Sequence, residues 1–179
     1  DTPLAATQYM MANDGKEGLA KFISNVVKPF GEELDIHVAR GNNLLKQVLR
    51  KYKNPVFDIT KPPNVEFADE SGVDGGGVSR EYFFMLMESL CKSQDGGITL
   101  FEGQPGHLVP SHNYDFVSGG LFVLVGKMIL HALLNKCKGV PGVARSVVSY
   151  LISGNRDTVI EKIALQDLPD SDLQCSMEQ

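Results

Sequence analysis

A cluster of glycines between two apolar segments is the stretch whose residue types come closest to a known binding chemistry. Val65 and Phe67 alternate with polar neighbours as in a half-buried strand. Apolar residues then recur at helical spacing, namely Val78, Tyr82, Phe83 and Met85. Glycines lie between them, three of them consecutive at residues 75–77. Dinucleotide-binding folds hold a pyrophosphate with this order of strand, glycine loop and helix. Phosphate binding is therefore the first function to test.

The detailed spacing argues against a ligand at this turn. The stretch lacks the third glycine of the dinucleotide fingerprint, and its flanks do not repeat as strand, helix and strand. A calcium loop would need an oxygen ligand where Val73 stands. A second candidate, residues 120–127, has one residue too many for a phosphate-binding loop, and Met128 replaces the required hydroxyl. A nucleotide-binding domain is kept only as a weaker alternative.

The histidines and cysteines predict neither a metal site nor a catalytic group. No spacing brings two imidazoles to one helix face, so each histidine is predicted to be structural or exposed: His37, His107, His112 and His131. The cysteines are too far apart for zinc ligands, and a reactive thiol needs an electropositive, partly exposed site. We expect Cys91 and Cys137 to be packed in helices and Cys175 to lie in an acidic tail. No catalytic, cofactor-binding or metal-binding residue is predicted.

Composition limits the class of protein. With 179 residues, 42% of them hydrophobic, the chain can bury one sizeable core. The net charge of −5 and the absence of a long basic run argue against nucleic acid as a partner. The most apolar run, Leu121–Leu134, is too short to cross a membrane and contains Lys127 and His131. Together with the sparse cysteines, this predicts a soluble protein of the cytoplasm or nucleus with no membrane partner.

Hydrophobic periodicity predicts an α+β fold that is mostly helical, with a few short strands. The strands are expected over residues 34–38 and 65–67, and the prolines of residues 54–64 indicate an extended connector. Helices are predicted over residues 15–27, 44–52, 78–92, 114–137, 144–152 and 157–165. The long helix over residues 114–137 is expected to be central, with Gly119, Gly120 and Gly126 allowing close helix approach. In the last of these helices, Val159, Ile160 and Ile163 are expected to face inward.

Several motifs together resemble a known family. They are Ile36-His37-Val38-Ala39-Arg40, Val65-Glu66-Phe67, Glu70, Gly72, Asp74-Gly75-Gly76-Gly77-Val78-Ser79-Arg80-Glu81-Tyr82-Phe83, Phe122, Gly126, Lys127, Gly139-Val140-Pro141, Tyr150-Leu151 and residues 165–170. In this order they are similar to the N-terminal lobe of a HECT-type ubiquitin-protein ligase, over roughly residues 35–172. The glycine-arginine-glutamate stretch is the most specific of them.

The resemblance implies a structural role for the glycine turn. Asp74, Gly75 and Gly76 would make a sharp turn, and Arg80 and Glu81 would begin a helix and form ion pairs or cap contacts that lock the lobe. Such ligases transfer ubiquitin from a conjugating enzyme's thioester to a ligase cysteine and then to a substrate lysine. The family places that cysteine in a C-terminal lobe and the conjugating-enzyme site late in the N-terminal lobe, and this sequence is expected to stop before both.

The expected organisation follows from the resemblance. Residues 1–12 would form a loose tail, residues 13–172 a partial N-terminal lobe and helical subdomain, and residues 173–179 a second tail. Conjugating enzyme and ubiquitin would be partners of the full-length protein, while this chain alone would be an inactive scaffold. Self-association through the last helices is expected where apolar surface lacks cover. The alternative is a non-catalytic, HECT-like interaction module.

Overall fold

A computed structural model of the chain describes residues 15–27, 32–41, 43–68, 70, 76–92 and 98–177. It shows an α+β fold that is mostly helical, as predicted. The helices are α1 Gly15–Val26, α2 Leu44–Lys53, α3 Gly77–Cys91, α4 Tyr114–Ser118, α5 Leu121–Leu134, α6 Arg145–Ser153, α7 Asp157–Ile160 and α8 Ser171–Met177. The strands are β1 Leu34–Val38, β2 Pro63–Phe67, β3 Phe101–Glu102 and β4 Val109–Pro110, and a 3-10 helix covers Leu165–Asp167. No helix in the described ranges is both long and apolar enough to cross a membrane.

The two predicted strands form a parallel pair. Their register runs from Leu34 opposite Pro63 to Val38 opposite Phe67. Alternate side chains of both strands are buried, which confirms the period-two pattern. Strand β2 begins inside the predicted connector, at Pro63, where a missing N–H is tolerated because it is the first residue of the strand. The short strands β3 and β4 pair in antiparallel fashion.

Helices α2, α3 and α5 pack together around the buried core. Tyr52 of α2, Phe83 of α3 and Met128 of α5 are all fully buried, and the predicted ranges of α2 and α3 are confirmed to within a few residues. One expectation for α3 is wrong. The spacing of Phe83, Phe84, Met87 and Leu90 predicts a broad buried arc, but Phe84 is 64% exposed while the other three are buried.

The prediction of one helix over residues 114–137 is wrong in two places: the helix is interrupted at residues 119–120, and it ends at Leu134. Gly120 adopts a left-handed φ of 70°, which separates α4 from α5. Gly119 allows a close approach of backbone, since a Cβ there would lie 2.8 Å from the Asp115 carbonyl oxygen. Gly126 does not bring helices together, because a Cβ at that position would meet no atom within 4 Å. Gly119 and Gly120 thus lie at the break between α4 and α5, while Gly126 neither breaks α5 nor brings it close to another helix.

Helix α5 ends in a Schellman motif. The Cys137 N–H donates to the Ala132 carbonyl at 2.9 Å, and the Lys136 N–H donates to the Leu133 carbonyl at 3.0 Å. Lys136 carries the left-handed φ of 60° that this motif requires and that glycine usually provides. Cys137 therefore lies after the helix and is half-buried, and its predicted place inside a helix is wrong. Cys91 is the last residue of α3 and is also half-buried.

The C-terminal part is less helical than the pattern predicts. Helix α6 is confirmed, but α7 ends at Ile160 and is followed by a turn and the 3-10 helix. Ile160 and Ile163 are 65% and 59% exposed, so their predicted inward orientation is wrong: α7 packs on α6 and not on the main core. Residues 171–177 form α8, for which no helix is predicted. The domain boundaries at residues 12 and 172 stay predictions.

Candidate functional site

The glycine turn between β2 and α3 is only partly described. Asp74 and Gly75 lie outside the described residues. Gly76 is the N-cap of α3 and has a left-handed φ of 87°. A Cβ on Gly76 would meet no atom within 4 Å, so glycine is favoured there by backbone conformation and not by lack of space. The left-handed conformation of Gly76 thus sets the direction in which the chain enters α3.

Arg40, just after β1, joins this turn to the rest of the fold. Its Nη1 lies 2.5 Å from Glu81 Oε1, and its Nη2 lies 3.0 Å from Glu81 Oε2 and 3.1 Å from Glu70 Oε2. Its Nε donates to the other carboxylate oxygen of Glu70. Its Cζ also lies 4.0 Å from the centre of the Phe67 ring. One guanidinium therefore links the segments that follow β1 and β2 to the N-terminal half of α3.

The electrostatics of this cluster fit a fixed contact. Hydrogen bonds from Arg40 lower the pKa of Glu70 and of Glu81, and hydrogen bonds to Glu81 and Glu70 raise the pKa of Arg40. All three groups stay charged at neutral pH. Because the side chains are partly exposed, water and salt weaken their attraction. The geometry gives bidentate recognition of two carboxylates, which orients the three elements and offers no group for proton transfer.

Arg80 has a different environment from its neighbour Glu81. No hydrogen bond or ion pair connects its side chain with another described residue, so the predicted pairing of Arg80 has no described counterpart. Arg80 instead lies at the edge of an open cleft of about 640 Å³, which we call the α3 cleft. The cleft is lined by Arg80, Phe84, Met87 and Glu88 of α3 and by residues 136–141, which follow α5.

A polar contact is buried at the centre of the core. The Tyr52 hydroxyl lies 2.6 Å from His131 Nδ1, and the Phe83 ring meets the imidazole edge to face with the ring centres 4.9 Å apart. Burial lowers the pKa of His131 to about 4 and raises that of Tyr52. His131 Nε2 and the Tyr82 hydroxyl have no hydrogen-bond partner among the described residues. His131 is therefore a neutral core residue, as the prediction of a structural histidine states.

A second polar cluster holds the C-terminal part on the fold. Asp167 accepts from the Ser146 hydroxyl at 2.7 Å and from the Ala164 N–H at 3.1 Å, and lies 2.7 Å from His107 Nδ1. Desolvation by burial raises the pKa of Asp167, but the hydrogen bonds from His107, Ser146 and Ala164 outweigh it, so the pKa is lowered. The serine contacts the carboxylate and not the imidazole, so this is not a nucleophilic triad. It is a latch between α6, the 3-10 helix and the loop before β4.

The remaining histidines and the cysteines add no reactive centre to the described part. His37 pairs with Glu66 at 2.9 Å on the surface, and His112 is exposed. Burial raises the pKa of the Cys91 and Cys137 thiols, although Arg80 opposes the rise at Cys137. Thiols with raised pKa values are poor nucleophiles at neutral pH. No three metal-binding side chains are grouped among the described residues.

Sequence reasoning missed the partners in both polar clusters. Arg40 was noted only as the end of a strand motif, yet it is the residue that Glu81 binds, 41 positions away. Asp167 belongs to the family-like motif of residues 165–170, and that motif gives no sign of its partner His107, which is 60 positions away. The one available signal was charge type, because an arginine after one strand and two glutamates after the other can meet when the strands are parallel and adjacent.

Comparison with known proteins relates the chain to ubiquitin ligases. No protein-family model matches it. It is 31% identical over 137 residues to the probable E3 ubiquitin-protein ligase HERC4 of Homo sapiens, and equally to that of Mus musculus, a match covering 73% of this chain and 12% of the relative. It is 35% identical over 94 residues to the probable E3 ubiquitin-protein ligase HERC3 of Homo sapiens, covering 52% of this chain and 9% of the relative. The chain spans about an eighth or less of the length of these relatives and is related to a region of probable E3 ubiquitin-protein ligases.

Proposed function

We propose that this chain is a structural part of the N-terminal lobe of a HECT-type ubiquitin-protein ligase. The observation that carries the proposal is the likeness to human HERC4 over 73% of the chain. The HECT-like motifs of the sequence and the mostly helical α+β fold support it. In the full-length protein, ubiquitin would pass from a conjugating enzyme to a ligase cysteine and then to a substrate lysine.

The structural role rests on what the HECT-like motif does in this fold. Glu81 contacts Arg40 across two elements, and the Gly76 conformation sets the path of the chain into α3. Both fix the position of α3 against the parallel strands. Neither Cys91 nor Cys137 is an activated nucleophile, because burial raises the pKa of both thiols. We therefore assign the ubiquitin-accepting cysteine to another part of the ligase.

A thioester assay tests this role. The chain is incubated with a conjugating enzyme charged with ubiquitin, and products are separated with and without reductant. We expect no reductant-sensitive ubiquitin adduct on this chain, because neither half-buried thiol is activated. An adduct on Cys91, Cys137 or Cys175, located by mass spectrometry, would show that the chain is itself catalytic and would overturn the structural assignment.

A non-catalytic, HECT-like interaction module is the second candidate. The raised pKa values of Cys91 and Cys137 favour it as much as they favour a structural lobe. Sequencing of the transcript beyond the codon for Gln179 separates the two. A threonine-cysteine-phenylalanine-like motif in the same reading frame supports the ligase, and an in-frame stop without such a motif supports the module. Calorimetric titration with common nucleotides tests the weaker nucleotide-binding alternative, for which heat of binding would be required.

A further inference from the structure

We infer that the α3 cleft is a docking site for a short acidic segment of a partner protein that carries an apolar anchor residue. The cleft lies between α3 and residues 136–141 and encloses about 640 Å³, which is within the range of small binding sites. This inference does not depend on the proposed ligase function, because it rests on the shape and charge of the cleft alone.

Part of the cleft lining is apolar. It includes Phe84, Met87, Val140 and Pro141. Phe84 is the most informative of these, because its neighbour Phe83 is fully buried while Phe84 itself is 64% exposed. A large aromatic side chain that lines an open cleft offers area that an apolar anchor of a ligand can cover.

Three basic side chains also belong to the cleft lining. Arg80, Lys136 and Lys138 are exposed, and no described carboxylate lies within ion-pair distance of any of them. The single acidic residue of the lining, Glu88, is paired with Lys92 at 3.0 Å. Three positive charges thus face the cleft in a chain whose net charge is −5. This local reversal of charge favours carboxylates beside the anchor.

The backbone conformation of one basic lining residue is unusual. Lys136 adopts the left-handed conformation within the two hydrogen bonds of the Schellman motif. That conformation is costly for a residue with a Cβ, and glycine would avoid the cost. This sequence instead has a lysine there, which adds a positive charge to the cleft lining.

The occupant that fits is a peptide segment, not a membrane surface. A lipid surface would need several basic groups in one plane with protruding apolar side chains. Here apolar and basic side chains together line one concave cleft. A single aromatic or aliphatic side chain in the cleft, with aspartates or glutamates on either side, satisfies both features.

Fluorescence anisotropy with the full chain tests the inference. The probe is a labelled peptide with one central phenylalanine between pairs of aspartates. We expect saturable binding that weakens with added salt. We expect the affinity to fall about fivefold for Lys138→Glu or Arg80→Glu, each of which removes an exposed charge contact. Phe84→Ser should reduce it about tenfold through lost apolar contact.

Matched controls separate the cleft from general charge and hydrophobicity. Lys46→Glu changes an exposed lysine on α2, and Tyr114→Ser removes an aromatic side chain that is 81% exposed. Both should leave the affinity unchanged, and circular dichroism should show that all variants are folded. Peptides with serine for phenylalanine, or asparagines for aspartates, should bind weakly. The inference is overturned by no binding, by equal loss in the control variants, or by anionic vesicles that bind with the same dependence on Lys138 and Phe84.

Discussion

Acidification should destabilise this protein through one buried histidine. His131 is fully buried, and burial lowers its pKa from an ordinary value of 6.5 to about 4. The unfolded chain therefore takes up this proton at a higher pH than the folded chain does. Stability from this group is complete above about pH 6.5 and is lost as the pH falls toward about 4.

The two pKa values of His131 set the size of the effect. Their difference corresponds to about 3 kcal/mol of folding free energy at low pH, and about 2 kcal/mol of this is lost between pH 7 and pH 5. The carboxylates with lowered pKa values, Glu70, Glu81 and Asp167, lose their contribution only below about pH 4.5, where they are protonated in the unfolded chain.

Urea denaturation at several pH values measures this effect. The unfolding free energy of the unmodified chain should fall by about 2 kcal/mol between pH 7 and pH 5. His131→Met replaces the imidazole with an apolar group of similar volume, and its unfolding free energy should be nearly flat over the same range. If the variant and the unmodified chain lose the same free energy between pH 7 and pH 5, the acid sensitivity has another source and the reasoning about His131 is refuted.

Four further predictions follow from the same structure. Lys136→Gly should raise the unfolding free energy by about 1 kcal/mol in urea denaturation, because glycine accepts the left-handed φ without a Cβ clash. Asp167→Asn should lower it by about 2 kcal/mol and speed hydrogen exchange at the start of α6, because Ser146 and His107 lose a charged acceptor. Arg40→Lys should lower the Tm, since an ammonium cannot hold two carboxylates in a bidentate arrangement. Light scattering should show self-association at high concentration, because α6 to α8 expose apolar side chains including Leu151, 71% exposed.

Each of these has a contrary outcome. A destabilised Lys136→Gly variant would mean that the lysine side chain itself stabilises the fold. Unchanged hydrogen exchange at α6 in Asp167→Asn would show that the contacts of Asp167 do not stabilise α6. An unchanged Tm in Arg40→Lys would show that the bidentate contacts of Arg40 do not stabilise the fold. A strictly monomeric mass at high concentration would contradict self-association through the last helices.

Local pattern was sufficient for much of the fold. The alternation around Ile36 and Val65 predicts both long strands, and the helical spacing from Leu44 to Tyr52 predicts α2. These elements are predictable because their burial pattern repeats over several residues. Their parallel pairing was not predicted, since pairing depends on the path of the chain between the strands.

The breaks and the long-range contacts could not be predicted in the same way. The apolar pattern continues across Gly120, so periodicity alone extends one helix through a residue with a left-handed φ. The end of α5 carries lysine at the position where glycine usually marks a Schellman motif, and the signal for a stop is missing. The contacts of Arg40 and Asp167 join residues tens of positions apart, which no short window of sequence can show.

The most direct test of the central proposal uses the full-length protein to which this chain is proposed to belong. Cys91, Cys137 and Cys175 are all replaced by serine, and the protein is incubated with a conjugating enzyme charged with ubiquitin. The measurement is the reductant-sensitive ubiquitin adduct on the ligase. If the chain is a structural part of a HECT-type ligase, the adduct forms in the triple variant as it does in the unmodified protein. Loss of the adduct in the folded triple variant, or its absence from the unmodified protein, would contradict the proposal.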